Sequence, residues 1–337
     1  MPGTVALMAP RPARRHLTLA AVCVLVLACC HGGDDPEPTT DAANLRAGTT
    51  AAPVDPEHGE STTTTTDRAV DLCGRLALED PIPIEADPAL TEISGAVVSK
   101  RTTDAVWVHE DSGHPTVLTE VGLDGEQISR WEVPGVEMVD WEDLAAIDDE
   151  GGTRHLVVGD IGDNLRSRDH VQLIRVPEPL QSGTGGVTDD PAVVRLHLPE
   201  GPRDAEALLV APETADVVVI TKTVTGVAEV LVGAQAALAP DGAQVPLELV
   251  GTLRLGPGEA VLAGDLSPDG GRLGLRTPTR VLVWAHEPDR PIDATLLDTT
   301  PCRGPSTFDL FGEALAMLDD GYVLLGESAA PELIRVR

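Results

Sequence analysis

The chain has 337 residues and a formal net charge of −31, with 24 Lys and Arg against 55 Asp and Glu. A surface of that sign repels nucleic acid and anionic lipid headgroups, both of which need a basic patch. Hydrophobic residues make up 42% of the chain, enough to build a core, so the acidity reads as a solvated surface plus specific acidic sites rather than global disorder.

At the N-terminus, Arg11, Arg14 and Arg15 precede an apolar run from Leu17 to Ala28. This is the layout of a signal peptide, and the run is shorter than a membrane span. Val26-Leu27-Ala28-Cys29 follows the pattern of a bacterial lipobox, in which the cysteine receives lipid. Residues 1–29 are therefore expected to be a lipoprotein signal with Cys29 as the lipidated residue. Cys30 in the neighbouring frame and plain secretion are the alternatives. Residues 30–68 are rich in Pro, Thr, Ala, Gly and acids and nearly devoid of aliphatic side chains. Such a composition buries too little to fold and suits a tether that holds a domain off the membrane. The expected location is extracytoplasmic, on the bacterial cell membrane, with the lipid as the only membrane contact. Beyond the Cys29-Cys30 pair at the lipobox, the remaining cysteines are Cys73 and Cys302, a disulfide candidate outside the cytoplasm, with two free buried thiols as the alternative.

Residues 69–337 carry short β-rich runs separated by Gly, Pro, Asp and Asn turns, and predict an all-β domain. The runs repeat as strand, turn, strand: TEISGAVVS with AVWVHEDSG, DWEDLAAID with HLVVGDIGDN, DAEALLVAP with DVVVITKT, AGDLS with RLGLRTPTR, and FGEALAML with YVLLGES. Aligned this way, Glu92, Glu142, Glu206, Asp265 and Glu313 share one position, at separations of 50, 64, 59 and 48 residues. Roughly 40 to 50 residues is the size of one four-stranded propeller blade. The expectation is a β-propeller of five four-stranded blades, or six if the longest unit hides two. A β-sandwich is the rival fold, but it does not predict a recurring acidic strand start. The last unit has three strands of its own, and the segment Leu72 to Leu78 is expected to supply the fourth and close the ring.

In a propeller the first strand of each blade is innermost, so strand starts and second-strand ends meet at one pole. The ring Glu92, Glu142, Glu206, Asp265 and Glu313 is expected at this channel mouth, joined by His109, Asp111, Asp140, Asp160, Asp163, Asn164, Lys222 and Arg276. Clustered acids need raised pKa values, water or cations. Oxygen-only ligands suit calcium, and Glu142, Asp160, Asp163 and Asn164 form the candidate ligand set, against a solvated mouth with no ordered ion. His109 is a candidate general base, and Lys222 and Arg276 are candidates for binding an anionic group or for offsetting the acids. Trp107, Trp131, Trp141 and Trp284 are read as packing between blades rather than as a stacking platform. There is no GxSxG, P-loop, HExxH or CxxC motif.

Together, ISGAVVS with VWVHEDSG, DWEDLA with VVGDIGDN and VPEP, DAEALL with VVVITKT, SPDGGRLGLRT and GEALAML resemble a group of secreted bacterial propeller proteins. Those pair an SGL-type strand with a DSG end, then a DWEDIA-type strand with DIGDN. The chain is more distantly similar to phytase-like and esterase-like propellers. The resemblance spans about residues 90–330 and implies an extracytoplasmic propeller with an acidic, calcium-dependent face. The catalytic motifs of calcium-dependent phytases are not evident. Two functions follow as expectations. One is a lipid-anchored module that binds a small molecule or an envelope protein. The other is a metal-dependent hydrolase of a phosphoester, ester or lactone, with Glu142, Asp160 and Asp163 holding calcium and His109 or a carboxylate taking the proton.

Overall fold

A computed structural model of the chain describes residues 73–180, 185–307 and 312–337; the signal peptide, Cys29 and the tether lie outside the described residues. Short runs of Val, Ile, Leu and Ala form twenty-two strands in five sheets among these residues. After the edge strand β1 (Ile82–Pro83), blade 1 holds β2 (Ile93–Val98), β3 (Ala105–Glu110), β4 (Val117–Gly122) and β5 (Gln127–Glu132). Blade 2 holds β6 (Trp141–Asp148), β7 (Arg154–Asp160), β8 (Val171–Pro177) and, beyond the short β9 (Gly186–Val187), β10 (Ala192–His197). Blade 3 holds β11 (Ala205–Val210), β12 (Val217–Thr221), β13 (Val227–Gly233) and, beyond β14 (Gln244–Pro246), β15 (Glu248–Arg254). Blade 4 holds β16 (Ala263–Leu266), β17 (Arg272–Arg276), β18 (Val281–Ala285) and, after helix α1 (Ile292–Asp298), β19 (Cys302–Arg303). Blade 5 holds β20 (Ala314–Met317), β21 (Tyr322–Leu325) and β22 (Glu332–Val336), with β1 as its fourth strand. The fold is the expected five-bladed β-propeller. Strands β2, β6, β11, β16 and β20 touch their neighbours in that cyclic order and surround the central axis.

The apolar runs are continuous because each blade is covered on both faces. Alternate residues of one strand point to opposite sides, so each strand feeds two different cores. In β20, Ala314 and Ala316 pack with Ile93, Ala96, Val106 and Val108 of blade 1, while Leu315 and Met317 pack with Ala263, Val281 and Val283 of blade 4. In β11, Leu208 and Val210 face blade 2, and Ala207 and Leu209 face blade 4. Five such clusters, one per interface, complete the ring. Trp107, Trp141 and Trp284 are buried within them and Trp131 packs partly against one, as packing residues should.

Neighbouring blades are also stitched through their outer edges. Strand β9 emerges from blade 2 yet pairs in parallel with β5 of blade 1, and β14 emerges from blade 3 yet pairs in parallel with β10 of blade 2. Each covers backbone groups that would otherwise form an open edge. The ring closes as expected, with the pairing beginning at the end of the segment Leu72 to Leu78 and continuing beyond it. Ala77 exchanges two backbone hydrogen bonds with Arg337, Leu78 bridges Val336, and Ile82 and Pro83 pair with Leu333 and Glu332. Cys73 and Leu76 instead pack against the core between blades 4 and 5. Proline at position 83 is tolerated because this is an outermost strand.

Cys73 and Cys302 form a disulfide, with Cα atoms 5.9 Å apart and a sequence separation of 229 residues. It ties the N-terminal segment that closes blade 5 to β19, the outer strand of blade 4. Cross-linking so long a loop removes much of the freedom of the unfolded chain. We expect Cys302→Ser to lower the unfolding free energy by about 2–5 kcal/mol in denaturant titrations, and reductant to have no further effect on that variant.

Candidate functional site

An innermost strand has a ladder partner on one side only, so its other edge presents backbone N–H groups to the axis. Buried without acceptors, these are costly. Two aspartates supply acceptors. Asp143 Oδ1 accepts from its own blade at Leu144 N (2.9 Å), and Oδ2 accepts from Leu208 N of blade 3 (2.8 Å) and Gly264 N of blade 4 (3.0 Å). Deeper along the axis, Asp265 accepts from Leu266 N (2.8 Å) and from Met317 N of blade 5 (2.7 Å). Burial pushes the Asp265 carboxyl up to about 8, against the pull of those two N–H groups.

The mouth is set by β-bulges. In β2, β6 and β11 the register shifts at the second residue, leaving Ser94, Glu142 and Glu206 outside the ladder. A bulged residue is unpaired and its side chain is re-aimed. Counted from the next ladder pairs, which are Gly95↔His109, Asp143↔Gly159, Ala207↔Ile220, Ala263↔Arg276 and Ala314↔Leu325, the equivalent positions are Ser94, Glu142, Glu206, Leu262 and Glu313. Three of the five expected ring acids, Glu142, Glu206 and Glu313, therefore share one level. Glu92 lies two residues earlier, with its side chain 48% exposed and 3.3 Å from His114 Nδ1. Asp265 lies three residues deeper than Leu262 and caps N–H groups instead. In blade 4 the ring position is held by Leu262, which is not an acid.

Glu142, Glu206 and Glu313 each bring one carboxylate oxygen within 4.8 Å of the others, and so do Asp111, Asp140 and Glu142. Glu142 belongs to both groups. It is 2% exposed, and among the described residues its carboxylate has no hydrogen-bond or ion-pair partner. Glu206 Oε2 is buried without a hydrogen-bond partner, while Oε1 lies 2.5 Å from Lys222 Nζ, which is also 3.4 Å from Glu313 Oε1. Gly162 of the DIGDN turn crosses directly above. A Cβ there would collide with Glu142 Oε1 and lie 2.5 Å from Asp140 Oδ2, so any other residue would push these two carboxylates aside.

The electrostatics follow from crowding. Burial, then the charges of Glu206, Asp111, Asp140 and Glu313, hold the Glu142 carboxyl far above its usual range. Glu206 is raised by burial and by Glu313, with Lys222 pulling the other way. Asp111 is pushed up to about 6 by burial, with Asp140, Glu313 and Glu92 adding to it and the Ser112 N–H opposing. Glu327 is pushed up to about 7 by burial and then by Glu313, Asp111 and Glu92. Burial alone would lower Lys222; Glu206 and Glu313 outweigh it and hold the ammonium above its ordinary value. A divalent cation would relieve all of these at once. The donors are carboxylates only, which fits a hard ion such as calcium.

The other expected site residues serve the scaffold. Asp160 is fully buried and accepts from Arg168 Nη1 (2.8 Å), Gln172 Nε2 (2.9 Å) and Asp140 N (3.0 Å). Asp163 accepts from Ser167 N and Arg168 N, both at 2.9 Å. Asn164 is exposed. Of the expected ligand set Glu142, Asp160, Asp163 and Asn164, Glu142 is the one that joins a group of converging carboxylates, with Asp111 and Asp140, while Asp160 and Asp163 accept hydrogen bonds from residues in and after the DIGDN turn. His109 is buried with its ring edge-on to Trp141 at 5.5 Å, its Nδ1 faces Glu110 O (3.1 Å), and its pKa is lowered by burial. It packs over Gly95, not at the mouth, and cannot serve as an accessible base. Arg276 is buried and donates through Nη1 to Ala314 O (2.5 Å) and Leu325 O (2.8 Å), joining blades 4 and 5. Lys222 reaches the mouth acids Glu206 and Glu313. Asp111 and Asp140 carried a readable signal, since both stand beside motif residues already assigned to this pole.

No protein-family model matches the chain, and no curated protein matches it in sequence. Solved structures match it at low similarity. A glucose dehydrogenase is 10% identical with a TM-score of 0.43, covering 77% of this chain and 98% of that one. The soluble aldose sugar dehydrogenase of Escherichia coli, in its apo form, is 11% identical with a TM-score of 0.41, covering 78% and 99%. The WD40 repeats of RRP9 are 9% identical with a TM-score of 0.36, covering 77% and 100%. Likeness at this level concerns shape, not chemistry.

Asp143→Ala would strip the acceptor from three buried N–H groups while leaving the mouth acids in place. We expect a loss of at least roughly 3 kcal/mol in unfolding free energy, read by chemical denaturation, because each of the three unsatisfied buried groups costs about 1–3 kcal/mol.

Proposed function

We propose that the protein is a lipid-anchored, extracytoplasmic β-propeller that binds a ligand through a calcium ion at its acidic mouth. The observation that carries this reading is the Glu142 carboxylate: buried, without a partner, and shared by two groups of three acids. Asp111, Asp140 and Glu142 would hold the ion, and its remaining coordination would face the mouth, open to oxygen atoms of a small molecule or an envelope protein. The lipobox at Cys29 and the tether support the location, and a disulfide agrees with an oxidising compartment. The net charge of −31 argues against nucleic acid as a partner.

The hydrolase reading has less support. His109 and Arg276, two of its candidate residues, are tied into interblade contacts, and Lys222 is engaged by Glu206 and Glu313. Binding at the mouth asks for no general base and is the simpler account of the same acids.

Calorimetric titration of the purified chain with calcium should show binding. At a hundredfold excess over Kd the melting temperature should rise by about 5–10 °C. Glu142→Gln, which keeps the shape and removes the charge, should weaken binding by at least about tenfold. Absence of calcium binding in the unmodified chain would sink the proposal. Chelator-sensitive turnover of model esters or phosphoesters, lost in Glu142→Gln, would replace it with the hydrolase reading.

A further inference from the structure

The mouth contains two adjoining acid groups of the same kind, and they are filled differently. Asp111, Asp140 and Glu142 face no cationic side chain at ion-pair distance among the described residues. Glu142, Glu206 and Glu313 converge equally closely, yet here Lys222 Nζ stands at 2.5 Å from Glu206 Oε1 and 3.4 Å from Glu313 Oε1. Lys222 follows the last residue of β12, and its own N–H donates to Asp204 O (3.0 Å), which fixes the root of the side chain. The ammonium is therefore held at this spot by the second strand of blade 3.

An ammonium does this work incompletely. It carries one positive charge against three carboxylates and is a compact point charge with three donors. Glu206 Oε2 stays buried with no hydrogen-bond partner, and the Glu142 carboxylate stays without a partner on this side as well. Those leftover oxygens are the ones a divalent ion would take, since calcium accepts six to eight oxygens in irregular arrangements. Ammonium and divalent ion cannot both occupy the space between Glu206 and Glu313, because like charges at such a distance repel.

We infer that Lys222 is a built-in counter-ion filling the second of two divalent-cation positions that share Glu142. With Lys222 present the mouth takes one divalent ion, at Asp111, Asp140 and Glu142. With its charge removed the mouth takes two, the second at Glu142, Glu206 and Glu313. The arrangement keeps a fixed positive charge beside the exchangeable ion, where an oxygen-rich ligand would meet both. This inference rests on the calcium reading of the mouth.

The test counts calcium ions per chain by native mass spectrometry and calorimetry. The unmodified chain should bind one, Lys222→Met two, and Lys222→Arg, which keeps the charge, one. Adding Glu206→Gln to Lys222→Met should return the count to one, locating the second ion. If Lys222→Met does not fold, Lys222→Gln takes its place. A count of two in the unmodified chain, or of one in the charge-removed variant, overturns the inference and leaves the calcium reading standing. No bound calcium in any variant overturns the calcium reading itself, and this inference with it.

Discussion

Five β-sheets arranged around an axis create one unavoidable problem: the innermost strands turn an unpaired edge of backbone N–H groups inward. The rest of this structure depends on how those groups are satisfied. Asp143 accepts from three blades and Asp265 from two, so a pair of side chains closes the backbone accounting along the axis. A carboxyl group suits the task because each of its oxygens can accept more than one N–H. These links also fix the inner strands relative to one another, so the mouth is built at the ends of positioned strands.

The same four-residue motif serves both purposes. In DWED, Trp141 enters the core between blades 1 and 2, Asp143 reaches down the axis, and Asp140 and Glu142 turn to the mouth. A β-bulge makes this division possible, because it lets Glu142 break the alternation that would have sent it into an interblade core. The outcome is two acid populations of different character: acids saturated by N–H groups, which hold the propeller together, and crowded mouth acids with few donors, among which the Glu142 carboxylate has none among the described residues.

Much of the fold was legible from Asp140 onward and backward, because each blade repeats a strand, a tight turn and a strand of strong β-formers. The blade count, the closure by the N-terminal segment and the Cys73–Cys302 pair all follow from that repeat. The finer placement was not. Asp265 looks like Glu142 in an alignment of strand starts, but counted from the ladder pairs the equivalent residue of blade 4 is Leu262 and Asp265 stands three residues further along, a register that the hydrophobic pattern does not mark. His109, Arg276 and Asp160 looked like site residues because polar side chains at strand ends usually face solvent. Their partners are an aromatic ring, two carbonyl groups and an arginine contributed by other segments of the chain, and none of these contacts can be read from local sequence. Asp111 and Asp140 were at the expected pole, but their convergence on Glu142 depends on the close passage of Gly162, a three-dimensional fact.

The central claim is that a buried carboxylate without a protein partner exists to hold a divalent cation. Anomalous diffraction from crystals grown with calcium, or with manganese in its place, tests it most directly. The account predicts a single strong anomalous peak bounded by Asp111, Asp140 and Glu142, with Lys222 still on Glu206 and Glu313. An ordered mouth with no peak there, or a peak coordinated by Asp160 and Asp163 instead, would contradict it.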